Sequence, residues 1–311
     1  MDKLLLVIFV FLSFASFGQQ RANHFDSTYF NKQRFAHRGG YANGPENTLQ
    51  TILYNIEHGV TAVEIDVNLT KDNELVIFHD DSVKRLLSCD QERLVTDFTL
   101  TELKEIPLRD SSQGVQYVCS LDELIDTLII LIPLRERLDF LLEIDFKPNG
   151  TKTKTAVAAL EKILLDHLSQ IGPRIYNYFF VSSFYPDVLK ELNKIDTNIV
   201  TAFAVNGSAE TQKLKARLAV ILAPIIAKKY DVDIFEPNMC MVRERYIRKW
   251  QRRGYLINTY SASTECEKDY LNAFHIAYTT KCPLSVCDPD PSDQLGKPKR
   301  WCKKCQRKKK H

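Results

Sequence analysis

Short apolar segments alternate with longer amphipathic segments along most of the chain. The apolar segments are rich in β-branched and aromatic residues, as buried strands are. They cover residues 34–37, 62–67, 75–78, 140–146, 179–182, 199–205, 232–235 and 255–260. Helical periodicity follows most of them, at residues 48–58, 152–170, 186–194, 212–228 and 242–253. This alternation predicts a parallel sheet with helical crossovers, and eight such units predict a closed (β/α)₈ TIM barrel.

Two segments depart from the regular alternation. Residues 81–118 contain no crossover helix beyond residues 99–105, which predicts a small insertion after the third strand. Residues 275–279 have the pattern of a ninth strand. The pattern therefore offers nine candidate strands for a barrel of eight.

The composition is that of a globular protein with one large domain. The chain has 311 residues, of which 44% are apolar and 26% charged, with only 11 glycines and 12 prolines. These values exclude collagen-like, low-complexity and wholly disordered chains. A single barrel needs about 250 residues, and we predict that it occupies residues 34–284.

The N-terminus has the pattern of a secretory signal peptide over residues 1–18. Lys3 precedes an apolar stretch that is shorter than the roughly 20 residues of a spanning helix. Small residues at Ser16 and Gly18 suit cleavage before Gln19. We therefore expect a secreted or periplasmic protein; an uncleaved anchor and a buried N-terminal helix are the alternatives.

The C-terminal residues 285–311 carry most of the positive charge. Nine Lys or Arg residues fall between Lys297 and Lys310, whereas the rest of the chain has 33 basic and 39 acidic residues. We expect a basic, flexible tail that either contacts an anionic membrane surface or is a solvated end. We expect no nucleic-acid partner. The eight cysteines suit disulfides near the C-terminus of an exported chain, with a zinc-ribbon-like set as the alternative.

Paired carboxylates occur on two of the predicted strands. Glu64 and Asp66 are two residues apart, so both face the same side of their strand. Glu143, Asp145 and Lys147 repeat this spacing on the next long strand. Buried like charges are costly unless a cation gathers them, and oxygen ligands favour Mg²⁺ or Ca²⁺.

Histidines stand where two predicted strands end. His37 precedes Arg38 and two glycines, and His79 follows the segment at residues 75–78. In a parallel barrel these positions would lie on the C-terminal rim, where ligand sites form. Each histidine taken alone could be structural; their occurrence together with the carboxylates favours a catalytic site.

These residues together resemble the glycerophosphodiester phosphodiesterase family, within the PI-PLC-like phosphodiesterase barrel superfamily. The resemblance covers about residues 34–283 and is most specific in the first fifty. It rests on AHRGG at 36–40, GPENT at 44–48, Glu64-x-Asp66, Thr70-x-Asp72, His79-Asp80 and Asp145-x-Lys147. It departs at residues 258–261, where the family has a tryptophan, so that a stacking surface for glycerol is either lost or supplied by Tyr260.

The resemblance implies a metal-dependent barrel enzyme that hydrolyses glycerophosphodiesters to an alcohol and sn-glycerol 3-phosphate. It implies one divalent cation, Ca²⁺ or Mg²⁺, and a glycerophosphodiester or lysophospholipid substrate. By motif, His37 and His79 would be the acid/base pair, and Arg38 and Lys147 would contact the phosphate. Glu64 and Asp66 would bind the metal. Asp145 stands where the family has a glutamate ligand, and Glu143 would be an extra or substitute ligand. Glu46 would orient this cluster or cap the helix that follows.

Two other functions stay open from the sequence. The first is a phospholipase that resembles sphingomyelinase D or lysophospholipase D, which shares the two-histidine barrel. The second is a catalytically inactive barrel that binds phosphorylated ligands. Metal-dependent turnover would separate these alternatives.

Overall fold

The barrel is a closed ring of eight parallel strands. The structure, a computed structural model, describes residues 27–111, 113–131, 140–148, 150–205, 222 and 225–283. The barrel strands are β1 (Arg34–Ala36), β2 (Ala62–Leu69), β4 (Leu141–Phe146), β5 (Phe179–Ser183), β6 (Thr201–Val205), β7 (Ile234–Pro237), β8 (Leu256–Thr259) and β9 (Ala277–Thr280). The ring closes because β1 pairs with both β2 and β9. The predicted (β/α)₈ barrel is confirmed.

One predicted barrel strand is wrong. The segment β3 (Leu75–Ile77) pairs antiparallel with β2 and lies outside the ring. Only residues 70–74 separate the two strands, which is long enough for a hairpin but too short for a parallel crossover. The ninth candidate at residues 275–279 supplies the eighth parallel strand instead, as β9.

Most helices follow a strand and cover the outside of the barrel. Their bounds are α1 (Ser27–Phe30), α2 (Leu49–Glu57), α3 (Leu100–Lys104), α4 (Leu121–Leu131), α5 (Thr153–Ile171), α6 (Pro186–Ile195), α7 (Glu244–Gln251) and α8 (Glu265–Ala273). Residues 225–230, before β7, are also helical. Each longer helix buries one apolar face, such as Val188, Leu189 and Leu192 of α6.

The interior of the barrel changes character along its axis. At the N-terminal end it is apolar: Ala62, Leu141 and Ile234 pack with Phe35 and Phe180. The same inward faces of β2 and β4 then present carboxylates two and four residues later, because side chains alternate along a strand. The outward face of β2 stays apolar and packs against the helices. The barrel therefore opens into a polar site at its C-terminal end.

The predicted insertion is a lobe with its own small core. Between β3 and α4, side chains such as Val83, Leu87, Phe98 and Leu103 form a buried cluster separate from the main core. Val76 and Phe78, at the end of the β2–β3 hairpin, belong to the same cluster. The lobe is thereby fixed to the segment that carries His79.

The structure also shows the state of several cysteines. Cys266 and Cys282 are disulfide-bonded, whereas Cys89 and Cys119 carry free thiols. Among the described residues, none of the helices combines the length and apolarity needed to cross a membrane. The predicted signal peptide at 1–18, the tail at 285–311 and most of the helix predicted at 212–228 lie outside the described residues.

Candidate active site

The carboxylates of β2 and β4 lie side by side because the two strands pair in register. Glu64 is opposite Glu143, and Asp66 is opposite Asp145. All four residues are buried, with at most 8% of their surface exposed. Strand register thus converts two separate sequence patterns into one acidic interior.

Three of these carboxylates form a cluster that can hold a metal ion. Within the described part of the chain, ligand oxygens of Glu64, Asp66 and Asp145 all lie within 4.8 Å of one another. Burial raises the pKa of Glu64 well above its ordinary value, and the charges of Asp66 and Asp145 raise it further. Burial also raises the pKa of Asp145, although Lys147 opposes this shift. The negative charges of the three carboxylates therefore repel one another.

Lys147 partly compensates for this repulsion. Its Nζ lies 2.8 Å from Asp66 Oδ1 and 2.6 Å from Asp145 Oδ2. Burial opposes the charge of Lys147, but the two carboxylates hold its pKa above the ordinary value. Burial likewise acts against ionisation of Asp66, yet Lys147, His79 and Arg38 hold the pKa of Asp66 well below its usual range.

The fourth carboxylate, Glu143, lies one layer deeper in the barrel. It accepts hydrogen bonds from Ser182 Oγ at 3.2 Å and from Asn258 Nδ2 at 2.8 Å. Burial and the charge of Glu236 raise its pKa well above the ordinary value. Of the two ligands that the sequence left open on β4, the geometry therefore favours Asp145.

His37 and Arg38 lie in a tight turn directly after β1. The turn spans His37–Gly39 and is kinked rather than helical at its centre, because Arg38 adopts a positive φ of 52°. The backbone N–H of Arg38 donates to Glu64 Oε2 at 2.7 Å. The Arg38 side chain reaches Glu46 Oε1 at 2.9 Å and Asp66 Oδ2 at 3.6 Å. The turn thus fastens both residues to the acidic cluster.

The His37 imidazole faces the carboxylates and is partly open to solvent. Its Nε2 is 3.9 Å from Glu64 Oε2, and 22% of the side chain is exposed. Burial lowers the pKa of His37 to about 4, although Asp66 acts in the opposite direction. The neutral form therefore prevails near pH 7, and the ring can accept a proton.

His79 reaches the same site by a route that the sequence analysis described wrongly. It does not end a parallel strand; it follows the antiparallel β3, which returns alongside β2. The Phe78 N–H donates to the Asp66 carbonyl at 2.9 Å, which places the next residue beside the cluster. His79 Nδ1 lies 2.6 Å from Asp80 Oδ1.

Asp80 determines which ring nitrogen of His79 carries hydrogen. Burial raises the pKa of Asp80, but hydrogen bonds from Arg85 and His79 lower it below its ordinary value. An ionised carboxylate only accepts, so His79 Nδ1–H donates and Nε2 is left for other partners.

Glu46 does not cap the helix that follows it. Thr48 is the N-cap residue of α2, and its side chain accepts from the Thr51 N–H. The Glu46 carboxylate instead accepts from Arg38 and from both terminal nitrogens of Arg85, at 2.9 and 2.7 Å. Of the two roles suggested by the sequence, the structure supports the orienting one.

Three residues that the sequence analysis left without a role also belong to the site. Asn47 donates to Asp66 Oδ2 at 2.8 Å and accepts from the Asp66 N–H at 3.2 Å. Asp80 and Arg85 hold His79 and Glu46, as described above. Asn47 and Asp80 lie inside the motifs that carry the family resemblance, so the sequence could have indicated both as site residues. Arg85 lies in the inserted lobe, and no sequence pattern indicates its contact.

The acidic cluster fits a hard divalent cation. All three ligand groups are carboxylates, which Ca²⁺ and Mg²⁺ prefer. Asp145 Oδ1 is buried and has no hydrogen-bond partner among the described residues. Burial raises the pKa of Glu64 and Asp145, and repulsion from neighbouring carboxylates adds to the shift. A bound cation would remove that repulsion.

The fold and this arrangement define a (β/α)₈ barrel enzyme with its site at the C-terminal mouth. Residues 37–277 match the model of the glycerophosphoryl diester phosphodiesterase family. The chain belongs to that family, and it is a phosphoric diester hydrolase.

Individual relatives agree with this assignment. Glycerophosphodiester phosphodiesterase 1 of Rattus norvegicus is 26% identical over 306 residues, covering 92% of this chain and 88% of the relative. The Homo sapiens protein of the same name is 27% identical over 275 residues, covering 82% and 79%. A solved phosphodiesterase from Oleispira antarctica, in complex with its product sn-glycerol-3-phosphate, superposes with a TM-score of 0.67 at 21% identity. That match covers 83% of this chain and 96% of the other, and it shows the shared fold.

Proposed function

We propose that this protein hydrolyses glycerophosphodiesters to an alcohol and sn-glycerol 3-phosphate, with His37 and His79 as the acid/base pair. The observation that carries the proposal is the convergence of two imidazoles, two cationic side chains and a buried carboxylate cluster at one mouth of the barrel. Membership of the family supports the substrate class, and the product bound to the Oleispira antarctica phosphodiesterase suggests the phosphate fragment that is released.

We further propose that Glu64, Asp66 and Asp145 hold one divalent cation, Ca²⁺ or Mg²⁺. When bound, such a cation neutralises charge on phosphate oxygens and on the attacking oxygen. Arg38 and Lys147 lie beside the cluster, with 19% and 17% of their side chains exposed, and they would bind the same phosphate.

The histidines divide the proton transfers between them. One removes the proton from the attacking oxygen, which belongs to water or to the neighbouring glycerol hydroxyl; the other donates a proton to the departing alcohol. Attack by the glycerol hydroxyl forms a cyclic phosphate, which water then opens to give sn-glycerol 3-phosphate. Positioned acid or base catalysis contributes about 10²- to 10⁴-fold. Asp80 supports His79 in this role because it holds Nδ1–H and leaves Nε2 for the reaction.

The direct test is turnover of defined diesters by the purified protein. Glycerophosphocholine, glycerophosphoethanolamine and glycerophosphoinositol are supplied with Ca²⁺, with Mg²⁺ or with chelator, and glycerol 3-phosphate is measured. We expect its release with metal and loss of release with chelator. Lysophosphatidylcholine and sphingomyelin are run in parallel; release of choline from these lipids alone would favour the phospholipase alternative.

Histidine variants test the acid/base pair. We expect His37→Gln and His79→Gln each to lower kcat by at least about 10²-fold. His58→Gln is the matched control, because His58 is exposed at the end of α2 and stacks on Tyr54. Full activity in either site variant would remove that histidine from the mechanism.

A diester with a nitrophenol leaving group would identify the acid. Nitrophenolate departs without a proton, so the variant that lacks the acid should recover most of its activity on this substrate. The variant that lacks the base should stay impaired. Equal loss on both substrates in both variants would contradict the division of roles.

We also propose that the protein acts outside the cytoplasm. Residues 1–18 have a charged start, a short apolar core and a small-residue exit, which support cleavage before Gln19. N-terminal sequencing of the exported protein should begin at Gln19. A chain that retains Met1 in the cytoplasm would refute export.

The basic tail is proposed to contact anionic membrane surfaces. Nine Lys or Arg residues near the C-terminus would each contribute about 1 kcal/mol close to such a surface. Sedimentation with phosphatidylserine vesicles, compared with pure phosphatidylcholine vesicles, tests the contact. Equal sedimentation with both vesicles, or with a chain shortened to residue 284, would show that the tail is a solvated end.

A further inference from the structure

We infer that Arg85 is a positioning residue for the reaction, linking the carboxylate behind His79 to the carboxylate behind Arg38. The inference rests on the proposed function, since it assigns His79 to proton transfer and Arg38 to the phosphate. It also gives the inserted lobe a role, because Arg85 lies in the first turn of that lobe.

One side of the Arg85 guanidinium holds Asp80. Nε lies 2.5 Å from Asp80 Oδ2, and Nη2 lies 3.0 Å from Asp80 Oδ1. This two-point contact fixes the plane of the carboxylate as well as its position. Asp80 Oδ1 is the same oxygen that accepts from His79 Nδ1 at 2.6 Å. The orientation of the imidazole therefore depends on the guanidinium.

The other side of the guanidinium holds Glu46. Nη1 lies 2.9 Å from Glu46 Oε2, and Nη2 lies 2.7 Å from Glu46 Oε1. Glu46 Oε1 also accepts from Arg38 Nη1 at 2.9 Å. The pose of Arg38 beside Asp66 is thus controlled by a carboxylate that Arg85 holds from behind.

One nitrogen of Arg85 connects the Asp80 side of the guanidinium to the Glu46 side. Arg85 Nη2 contacts both Asp80 Oδ1 and Glu46 Oε1, so hydrogen bonds run without a break from the His79 ring to the Arg38 guanidinium. Without Arg85, two carboxylates would lie close together with Arg38 as their remaining strong cation. Arg38 would then be drawn toward them and away from the phosphate.

The lobe keeps Arg85 in place. Its neighbours Val83 and Leu87 are buried in the lobe core, and Ser82 caps the turn that contains Arg85. The side chain is 48% exposed, whereas Asp80 and Glu46 are 25% and 11% exposed. The interaction of Arg85 with these carboxylates therefore depends on the geometry of its four hydrogen bonds rather than on deep burial. Lysine, a point charge, cannot reproduce that geometry.

The test compares Arg85→Met with Arg93→Met. Arg93 lies in the same lobe, but its side chain contacts the Asp97 carbonyl and the Phe98 ring rather than the site carboxylates. We expect Arg85→Met to lower kcat/KM about 10- to 100-fold, with kcat reduced through His79 and KM raised through Arg38. Arg93→Met should stay within about twofold of the unmodified protein.

A double variant tests whether Arg85 acts through Asp80. Because both residues serve His79, kcat of the Arg85→Met/Asp80→Asn protein should fall no further than in the worse single variant. Arg85→Lys should remain impaired, since the fork is lost while the charge is kept. Full recovery in Arg85→Lys, or losses that multiply in the double variant, would overturn the assignment.

Nitrogen-15 spectra of the histidine rings provide a readout that needs no turnover. The His79 signal, identified by its absence in His79→Gln, should show the Nδ1–H tautomer in the unmodified protein and in Arg93→Met. It should become a mixture of tautomers in Arg85→Met. An unchanged His79 signal in Arg85→Met would refute the link, whereas failure of the unmodified protein to hydrolyse any diester would refute the proposed function alone.

Discussion

Single polar residues hold the reactive groups of this site in place. Asn47 is the clearest case. Its side chain forms hydrogen bonds with both the carboxylate and the backbone N–H of Asp66, and its backbone adopts a positive φ of 56°. Asparagine tolerates this left-handed conformation better than most residues. Its identity therefore serves both the backbone turn and the carboxylate beside it.

Substitution of Asn47 separates these two contributions. Asn47→Ala and Asn47→Gly both remove the contact with Asp66, and both should weaken Ca²⁺ or Mg²⁺ binding about 10- to 100-fold in calorimetric titration. Only alanine resists the left-handed conformation, so its free energy of unfolding should be lower than that of the glycine variant by about 1 kcal/mol. Unchanged metal affinity in Asn47→Gly would contradict the role given to Asn47.

A second residue-scale effect concerns the buried layer beneath the cluster. Burial raises the pKa of Glu236 to about 8, Asp145 adds to the effect, and Asn258 partly offsets it. Glu236 is therefore protonated in the folded protein at neutral pH, whereas the unfolded chain ionises it above its ordinary value near 4.5. Its contribution to stability is complete below that value and is lost as the pH rises toward 8.

The pH dependence of unfolding should reveal this proton. In chelator, Glu236 alone should lower the free energy of unfolding as the pH rises between about 4.5 and 8, by at most about 1.4 kcal/mol per pH unit. Glu236→Gln should flatten this slope, while Glu57→Gln, at the exposed end of α2, should not. Equal slopes in the two variants, measured by denaturant titration, would show that Glu236 is ionised in the fold.

At the scale of elements, short connections bring the two histidines to one place. The β2–β3 hairpin returns the chain so that His79 lies beside Asp66. The sequence analysis predicted residues 75–78 as a parallel barrel strand, and the direction was wrong. Periodicity records which faces of a strand are apolar and not which neighbour the strand joins. The seven residues 68–74 between the two predicted segments were a signal available from the sequence, because they are too few for a parallel crossover.

The turn after β1 depends on a close approach to α2. Gly40 has a φ of +90°, and a Cβ there would lie 2.5 Å from Nδ2 of Asn55. Asn55 Nδ2 also donates to the Gly39 carbonyl at 2.9 Å. The atom that a Cβ at Gly40 would meet is therefore the donor of a hydrogen bond that fixes the turn. Gly59 has a similar φ of +94°, with no atom within 4 Å of a built Cβ among the described residues.

The two glycines therefore form a matched pair. Gly59→Ala should lower the free energy of unfolding by about 1 kcal/mol, the cost of the left-handed backbone. Gly40→Ala should lower it by roughly 1 to 3 kcal/mol more, because Asn55 must move, and it should also reduce kcat by displacing His37. Equal stability and activity in the two variants would show that the turn adapts freely.

At the scale of the whole molecule, the proposed cation site joins two strands of the closed barrel. A cation that binds only the folded protein stabilises it by about 2.7 kcal/mol at a hundredfold excess over Kd. For a protein of this size we expect Ca²⁺ or Mg²⁺ to raise Tm by about 4 to 5 °C. Calorimetric scans with metal and with chelator provide the measurement.

Asp145→Asn should abolish most of that rise in Tm. Asp166→Asn is the control, because Asp166 is exposed on α5. An equal rise in both variants would place the cation elsewhere.

Local patterns along the chain were sufficient to predict the barrel, the shared face of Glu64 and Asp66, and the repeat of that face in Asp145 and Lys147. These features follow from side-chain periodicity within one strand, which adjacent residues alone encode. The choice of Asp145 over Glu143, the reversal at β3 and the reach of Arg85 into the site came from three-dimensional packing. They depend on strand register and on the docking of a distant lobe, and such contacts between remote segments leave no periodic trace in a single chain.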